Sequence, residues 1–486
     1  MKPSKIFFYF LSVFVLILGI AVIFPRDGIR LSDDLKLRFI SPAGLFTRDT
    51  SSSIYTDSLI QNITVTDDPE SGMINLPLFF QVPEPDINMD SIIRARIDSI
   101  SNRVYPIEFP VQDSTGLAPF FIVAEKAIQN DRLIRILHYG DSQIENDRMT
   151  ALLRYRFQKV FGGSGCGMVP AIPLYSGNPV FREKIEGDWI RYTGFGERDS
   201  TIEHSCYGMM ACYTAVPKPD KDIIPSVEFI FRQGKRASSF STIRIFLHAY
   251  VDSGMIAVHI NDTISDTITL VHGGYHMIEY KIDTDVEKVK LAFNLQEGGR
   301  VYGISFDPEA GVQMDNIAMR GSSGLEFSNS DRQTLDTMLT AVNPGLIIMQ
   351  FGGNVVPYIK SASFYKKTFK RELNYLKTVC PGVKIVVIGP GDMSTRENGK
   401  FVTFNTLEPV RDALREAALE SGCAFWDMYE AMGGENSITN FVLADPPLAT
   451  SDYIHFTPRG ANLVAGMFFD AVMLEYGKYK AGQRNW

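Results

Sequence analysis

The stretch RILHYGDSQIENDRMT, residues 135–150, decides how the rest of the chain is read. An apolar run ends at Gly140-Asp141-Ser142, and a polar segment able to start a helix comes directly after it. On one reading a buried strand stops there and Asp141 or Ser142 caps the next helix. On the other, the turn holds Ser142 at the carboxyl end of a strand, where α/β sheets bind their ligands, and offers it as a nucleophile. The flanks fit a strand between helices. LAPFFIVAEKAIQ (117–129) has helical spacing, LIRILHY (133–139) reads as a buried strand, and DRMTALLRYRFQKVFGG (147–163) reads as a helix closed by glycines.

The same alternation returns after Gly311. Strand-like VQMDNIAM (312–319), LIIMQFG (346–352), VKIVVIGPG (383–391) and CAFWDMY (423–429) are separated by helix-like SDRQTLDTMLTAV (330–342), SFYKKTFKRELNYLKTV (363–379) and EPVRDALREAALES (408–421). PRGANLVAGMFFDAVMLEY (458–476) closes the series. Such a succession implies a mostly parallel sheet with helices on both faces. Between 176 and 310 the texture changes to short β-rich runs, such as SVEFIFRQ, TIRIFLHAY and VKLAFNL, separated by turn residues. That is the pattern of a β-sandwich or jelly roll. The expected organisation is one α/β domain in two parts, 117–175 and 311–486, interrupted by an all-β insertion at 176–310.

The N-terminal part reads differently. A helix over the uncharged run Ile6–Phe24 would be about 28 Å long, close to the roughly 30 Å of a bilayer core, and no small-residue cleavage site follows. Residues 1–26 are therefore expected to be an uncleaved transmembrane anchor, with the short tail inside and the bulk of the chain extracytoplasmic. Residues 27–116, rich in Ser, Asp and Pro, are expected to be a juxtamembrane region, part linker and part packed on the α/β domain. Of 486 residues, 45% are apolar and 21% charged, which is ordinary globular composition. A formal net charge of −8 without a basic block argues against nucleic acid as a partner. The five cysteines show no CxxC pair and no metal-ligand spacing, and a local Cys206–Cys212 bridge is left open. No cofactor or metal is expected, since no GxGxxG, GxxxxGK[ST] or HExxH pattern stands in the required context.

Chemistry-bearing residues gather at the ends of the α/β strands. Ser142 follows the first. Gly321 follows DNIAMR, Asn354 follows LIIMQFGG, and SDYIHFTPRG puts Asp452 and His455 just before the last helix, with Thr457 as N-cap and Pro458 at its first position. Taken singly, each is an ordinary turn or cap residue. Asp141 is read as a turn residue and His138 as structural. Together they form a coherent set. His455 would take the Ser142 proton and later return it to the leaving alcohol. Asp452 would fix the imidazole tautomer. The backbone N–H groups of Ser142 and Gly321 and the Asn354 amide would receive the developing oxyanion.

These four blocks, Gly140-Asp141-Ser142, Gly321, GGN ending at Asn354, and Asp452-x-x-His455, resemble those of the SGNH hydrolases, the GDSL-type esterases and lipases. The resemblance implies a flavodoxin-like α/β fold and carboxylic ester hydrolysis through an acyl-serine. The sequence departs from the family pattern at Gln143, where leucine is usual, and at Val355, where an acidic residue is usual. The glycine-rich FGGSGCGMVP (161–170) is an alternative second block, but Gly321 follows a strand and lies nearer Asn354. The β insertion between the first and second blocks is similar to the arrangement in bacterial peptidoglycan O-acetylesterases, whose inserted module looks like a carbohydrate-binding domain. This implies an acetylated envelope glycan as substrate. Tyr250, Tyr275, Tyr280, Tyr302 and Phe306 of the insertion could then stack on sugars or simply fill its core. Two other readings keep the same residues: acetyl transfer to a sugar hydroxyl, and a catalytically inactive glycan-binding membrane protein. Oligomeric state is not legible in the sequence.

Overall fold

A computed structural model of the protein describes residues 29–30, 36–37 and 104–482, apart from 174–176, 219–222, 251, 253 and 297. The expected anchor and most of the juxtamembrane region lie outside the described residues. Among those described, no helix is long and apolar enough to cross a membrane. The chain divides into two units, 1–52 and 53–486. In the first, β1 (Ile29–Arg30) pairs antiparallel with β2 (Lys36–Leu37). All the elements from α1 onward belong to the second.

Helix α1 (Ala118–Glu125) leads into β3 (Leu133–Gly140), the strand that ends at the Gly140-Asp141-Ser142 turn, and α2 (Arg148–Phe161) comes next. Then come the short strands β4 (Gly167–Val169), β5 (Phe181–Glu186), β6 (Ile190–Thr193) and β7 (Cys212–Val216). Longer ones succeed them: β8 (Ser226–Phe231), β9 (Thr242–Ala249), β10 (Gly254–Ile260), β11 (Thr263–Leu270), β12 (Gly274–Lys281), β13 (Lys288–Asn294) and β14 (Gly299–Asp307). The α/β pattern resumes with β15 (Gly311–Ala318), α3 (Arg332–Val342), β16 (Pro344–Gln350), α4 (Ala362–Val379) and β17 (Lys384–Ile388). A hairpin of β18 (Ser394–Glu397) and β19 (Lys400–Thr403) precedes α5 (Leu407–Glu420) and β20 (Ala424–Trp426). Two short helices, α6 (Met428–Met432) and α7 (Ser437–Leu443), lead to the long α8 (Pro458–Lys480).

The central sheet is parallel, in the order β15-β3-β16-β17-β20. Numbered by their order in the chain, its strands run 2-1-3-4-5, the flavodoxin-like order. Its strands are apolar on both faces because helices cover both. Ile136, Met314 and Ile348 join a core with α1, α2 and α8, while Leu137, Ile317 and Met349 join one with α3, α4 and α5. Each such fully buried side chain contributes on the order of 1.5–3 kcal/mol. From the juxtamembrane stretch, Glu108 exchanges backbone hydrogen bonds of 2.8 and 2.9 Å with Phe425, and its carboxylate accepts from Arg415 Nε at 2.8 Å. This segment therefore covers the β20 edge.

Strands β4 to β14 form two antiparallel sheets, β11-β10-β13-β8-β5 and β12-β9-β14-β7-β6, with β4 paired to β14. Their facing sides, including Phe229, Ile245, Val258, Leu291 and Phe306, share one core. Of the five aromatics that could meet sugars, Tyr302 and Phe306 are buried, Tyr275 and Tyr280 half-buried, and Tyr250 exposed. All five cysteines are free, so Cys206 and Cys212 form no bridge. The glycine-rich 161–170 stretch packs against β15: a Cβ on Gly163 would sit 2.3 Å from the Val312 carbonyl oxygen. Its glycines permit close backbone approach and form no turn beside Ser142.

Sandwich and central sheet are tied by a buried charge network. Arg135 of β3 holds both oxygens of Asp315 at 2.8 and 2.9 Å, the Ser305 hydroxyl at 3.0 Å, and Asp307 at the end of β14. Asp315 also accepts from the Met168 N–H at 2.8 Å, and Asp307 from Arg244 at 2.7 Å. The carboxylates outnumber the single guanidinium beside them, which is why a second arginine joins.

Candidate active site

β3 and β16 are the strands between which the chain changes direction across the sheet. In such sheets a crevice opens beyond the carboxyl ends of that pair. Ser142 follows β3 and Asn354 follows β16, so both stand at that crevice. Here the two readings of the Gly140-Asp141-Ser142 turn separate. Asp141, extended and buried, is the capping residue, its carboxylate accepting from the Gln143 N–H at 3.0 Å. Ser142 is left for other work; its Oγ lies 2.9 Å from His455 Nε2. Burial pushes the Asp141 carboxyl up to about 6, against the opposing pull of the Gln143 N–H and of His455.

Asp452 and His455 lie on the loop before α8. His455 Nδ1 meets Asp452 Oδ2 at 2.7 Å. The other oxygen, Oδ1, accepts from the Thr450 hydroxyl at 2.6 Å and from the N–H groups of Ile454 and His455 at 2.9 and 3.0 Å. Burial alone would raise this carboxyl, but those hydrogen bonds outweigh it and hold it down at about 2. Asp452 is thus a fixed anion wherever His455 can act as a base. Thr457 caps α8 by accepting from the Gly460 N–H at 3.2 Å, with Pro458 behind it.

The loop is clamped from three sides. The Gln143 side-chain amide donates to the Ile454 carbonyl at 2.7 Å, joining the segment after the serine to the one before the histidine. Tyr453, at φ 59°, occupies the left-handed region, a strained setting for a bulky residue. Its carbonyl accepts from the Ser394 N–H at 3.0 Å, and its ring stacks on Phe401 of the β18–β19 hairpin at 3.6 Å and 10°. Sequence reasoning missed Gln143, Thr450, Tyr453 and Phe401 as parts of the site. In the sequence Gln143 stands out only as a departure from leucine, and its amide is the signal that could have found it.

The second and third blocks are joined to each other. After β15 the Ser322 N–H closes a turn onto the Met319 carbonyl at 3.0 Å, and Gly321 in that turn has φ +78°. A Cβ there would meet nothing within 4 Å, so glycine is required for its backbone conformation and not for space. The Asn354 amide donates to the Ser322 carbonyl at 3.1 Å. A side-chain amide carries two N–H groups, and this bond uses one. Ser142, Asn354 and His455 line one pocket of about 180 Å³, walled by Met393 and Met428 and rimmed by Tyr358, which is 81% exposed. Gly321 lies outside that lining, on the adjacent turn that Asn354 holds. His138 is fully buried between Thr150 (2.9 Å) and Gln350 (3.2 Å), and burial drops its pKa to about 3, so it stays neutral and structural.

Residues 296–463, which carry three of the four blocks, match the sequence model of the GDSL-like Lipase/Acylhydrolase family. Over that stretch the chain is similar to the GDSL-type acylhydrolases. No curated protein sequence matches. Among solved structures, a peptidoglycan O-acetylesterase superposes with a TM-score of 0.63 at 19% identity, over 76% of this chain and 99% of its own. At that identity the likeness is one of fold, and it extends across the α/β part and the sandwich. An acetyl xylan esterase (14% identity, 33% of this chain, 81% of its own, TM-score 0.27) shares less. So does a family two carbohydrate esterase from Clostridium thermocellum (10% identity, 60% and 99%, TM-score 0.25).

Proposed function

We propose that this protein removes O-acetyl groups from a cell-envelope polysaccharide, peptidoglycan being the first candidate, through an acyl-serine on Ser142. The observation that carries the reading is the continuous hydrogen-bonded line Ser142–His455–Asp452, with links of 2.9 and 2.7 Å, at the switch point of the sheet. As the Ser142 oxygen attacks the ester carbonyl, His455 Nε2 takes its proton. Asp452 holds Nδ1–H and balances the imidazolium charge. The tetrahedral oxyanion is received by the N–H groups of Ser142 and Gly321 and by the Asn354 amide. Collapse breaks the ester bond, and His455 returns the proton to the departing sugar hydroxyl. Water, deprotonated by the same histidine, then attacks the acetyl-serine; the bond from the acyl carbon to Ser142 Oγ breaks, His455 returns the proton to Oγ, and acetate leaves.

Support for a glycan comes from the fold shared with a peptidoglycan O-acetylesterase and from the aromatic rim at Tyr358. An extracytoplasmic location, with 1–26 as anchor, belongs to the same proposal; fractionation and protease accessibility in intact cells test it. For the chemistry, Ser142→Ala is expected to abolish hydrolysis of p-nitrophenyl acetate while leaving the melting curve unchanged. Wild-type rates in that variant would sink the assignment. Acetate release compared across O-acetylated peptidoglycan, xylan and capsular glycan then identifies the substrate.

A further inference from the structure

A second cavity, of about 100 Å³, lies between the sandwich and the carboxyl end of β15. One wall is the segment that begins with Ser142, represented by Glu145; the other comes from the sandwich side, with Met168, Phe181, Glu183, Arg191 and Met210. On a scale where one water needs roughly 10–15 Å³, this space takes several waters or one edge of a sugar ring. Its polar atoms are not all satisfied by the protein. Among the described residues, Glu145 Oε1 and Arg191 Nε are buried with no hydrogen-bond partner. The Glu145 side chain is only 4% exposed, and its other oxygen is held by Arg320, the residue before Gly321, at 3.1 Å. A buried carboxylate oxygen without a donor costs free energy, so a group that supplies one is favoured there. Glu183 adds a second carboxyl to the lining, and burial raises it above the usual glutamate range.

An unmet acceptor, an unmet donor and a second carboxyl above an apolar floor of Met168, Phe181 and Met210 match the two sides of a pyranose. Its hydroxyl or acetamido groups engage the polar atoms, and its C–H face lies on the apolar ones. We propose that this cavity is a second glycan subsite, taking a sugar unit adjacent to the one whose acetyl ester meets Ser142. The inference rests on the proposed esterase activity. Glu145 gives it a direct link to the chemistry: the same side chain lines the subsite, follows the nucleophile by three residues and pairs with the residue before Gly321.

The test uses residues of the sandwich that lie outside the triad and the oxyanion turn. Binding of triacetylchitotriose to the full-length Ser142→Ala protein is measured by calorimetry, with and without Arg191→Ala or Glu183→Gln. On the Ser142 background, kcat and KM are measured for an O-acetylated chitooligosaccharide and for p-nitrophenyl acetate. Each substitution is expected to weaken chitotriose binding by about ten-fold and to raise KM for the oligosaccharide alike, with kcat/KM for p-nitrophenyl acetate within about two-fold of wild type. Glu183→Gln is isosteric and carries the test should Arg191→Ala lower the melting temperature. Chitotriose binding that is absent, or indifferent to both substitutions, means the cavity holds only water and overturns the subsite, even where Ser142-dependent hydrolysis is normal. Equal losses on both substrates mark a structural role and overturn it too. Absence of any Ser142-dependent hydrolysis together with substitution-sensitive chitotriose binding would instead sink the esterase reading and leave a glycan site standing.

Discussion

Asn354 does two things at once: it ties the second block to the third through the Ser322 carbonyl, and it faces the pocket that holds Ser142. Asn354→Ala is expected to lower kcat for a small acetyl ester by about 10²–10³-fold with little change in KM, as removal of one oxyanion donor does. A change confined to KM would remove Asn354 from the oxyanion hole. Asp141 makes a pH-dependent prediction. Its carboxyl is raised from 3.8 to about 6 in the folded state by burial. A raised acid binds its proton more tightly folded than unfolded. Stability is therefore undiminished below about pH 4 and declines as pH rises through about 6, by an amount on the order of 3 kcal/mol. Asp141→Asn can still accept from the Gln143 N–H and carries no charge. Its melting temperature should exceed wild type at pH 8 and approach it at pH 4; an equal drop at both values would contradict this. The residues of the triad could be picked out because Ser142, Asp452 and His455 occur together with Gly321 and Asn354 in a workable order, although each alone is an ordinary turn or cap residue. Gln143 and Thr450 are harder to see: Gln143 is marked only by an amide where leucine is usual, its partner Ile454 lying 311 residues away, and Thr450 looks like any polar loop residue beside the acid it bonds.

At the scale of elements, the approach of α8 to the loop before it positions the acid and the base. A Cβ on Gly460 would sit 1.7 Å from the Leu448 carbonyl oxygen, whose partner is the Thr457 N–H at 3.0 Å. Gly460→Ala must therefore push α8 away from the strand-like turn in which Ala449 bridges Phe456, the turn that carries Asp452 and His455. Overpacking of this kind costs about 1–3 kcal/mol or more. The expected outcome is a lower melting temperature accompanied by a fall in kcat, read by calorimetry and p-nitrophenyl acetate turnover. Unchanged kcat at reduced stability would show that the loop holds its geometry without α8. The buried parallel strands were legible as apolar runs because helices cover both their faces. The helix expected over 147–163 runs over Arg148–Phe161, and a 3-10 segment delays it after Ser142, with Glu145 extended and Asn146 and Asp147 left-handed. Side-chain bonds explain the delay, since Glu145 is drawn to the distant Arg320 and Asp147 to Arg154 farther along α2. The β18–β19 hairpin is missing from the sequence reading, although Asn398-Gly399, both at positive φ, is a strong two-residue turn signal.

Across the whole molecule, Arg135 is where sandwich and central sheet are joined through charge. Its side chain is 2% exposed, and removing it leaves Asp307 and Asp315 buried with less than their full compensation. Arg135→Ala is expected to lower unfolding free energy by about 3–5 kcal/mol, the range for breaking a buried ion pair. Denaturant titration measures this. A loss under about 1 kcal/mol would mean that Arg244 alone suffices for the two carboxylates.

Local sequence was enough to establish the kinds of element, the interruption of one α/β domain by antiparallel strands, and the places of Ser142, Gly321 and Asn354 after strands and of Asp452 and His455 just before the last helix. These follow from interactions among near neighbours in the chain: periodicity, capping and turn chemistry. Long-range packing alone set the strand order β15-β3-β16-β17-β20, the bond across 313 residues from Ser142 to His455, the clamp of Gln143 and Tyr453 on the histidine loop, and the cavity beside Glu145. Each of these depends on which distant surfaces bury one another. That choice is made by the whole chain at once and leaves no trace in any short stretch of it.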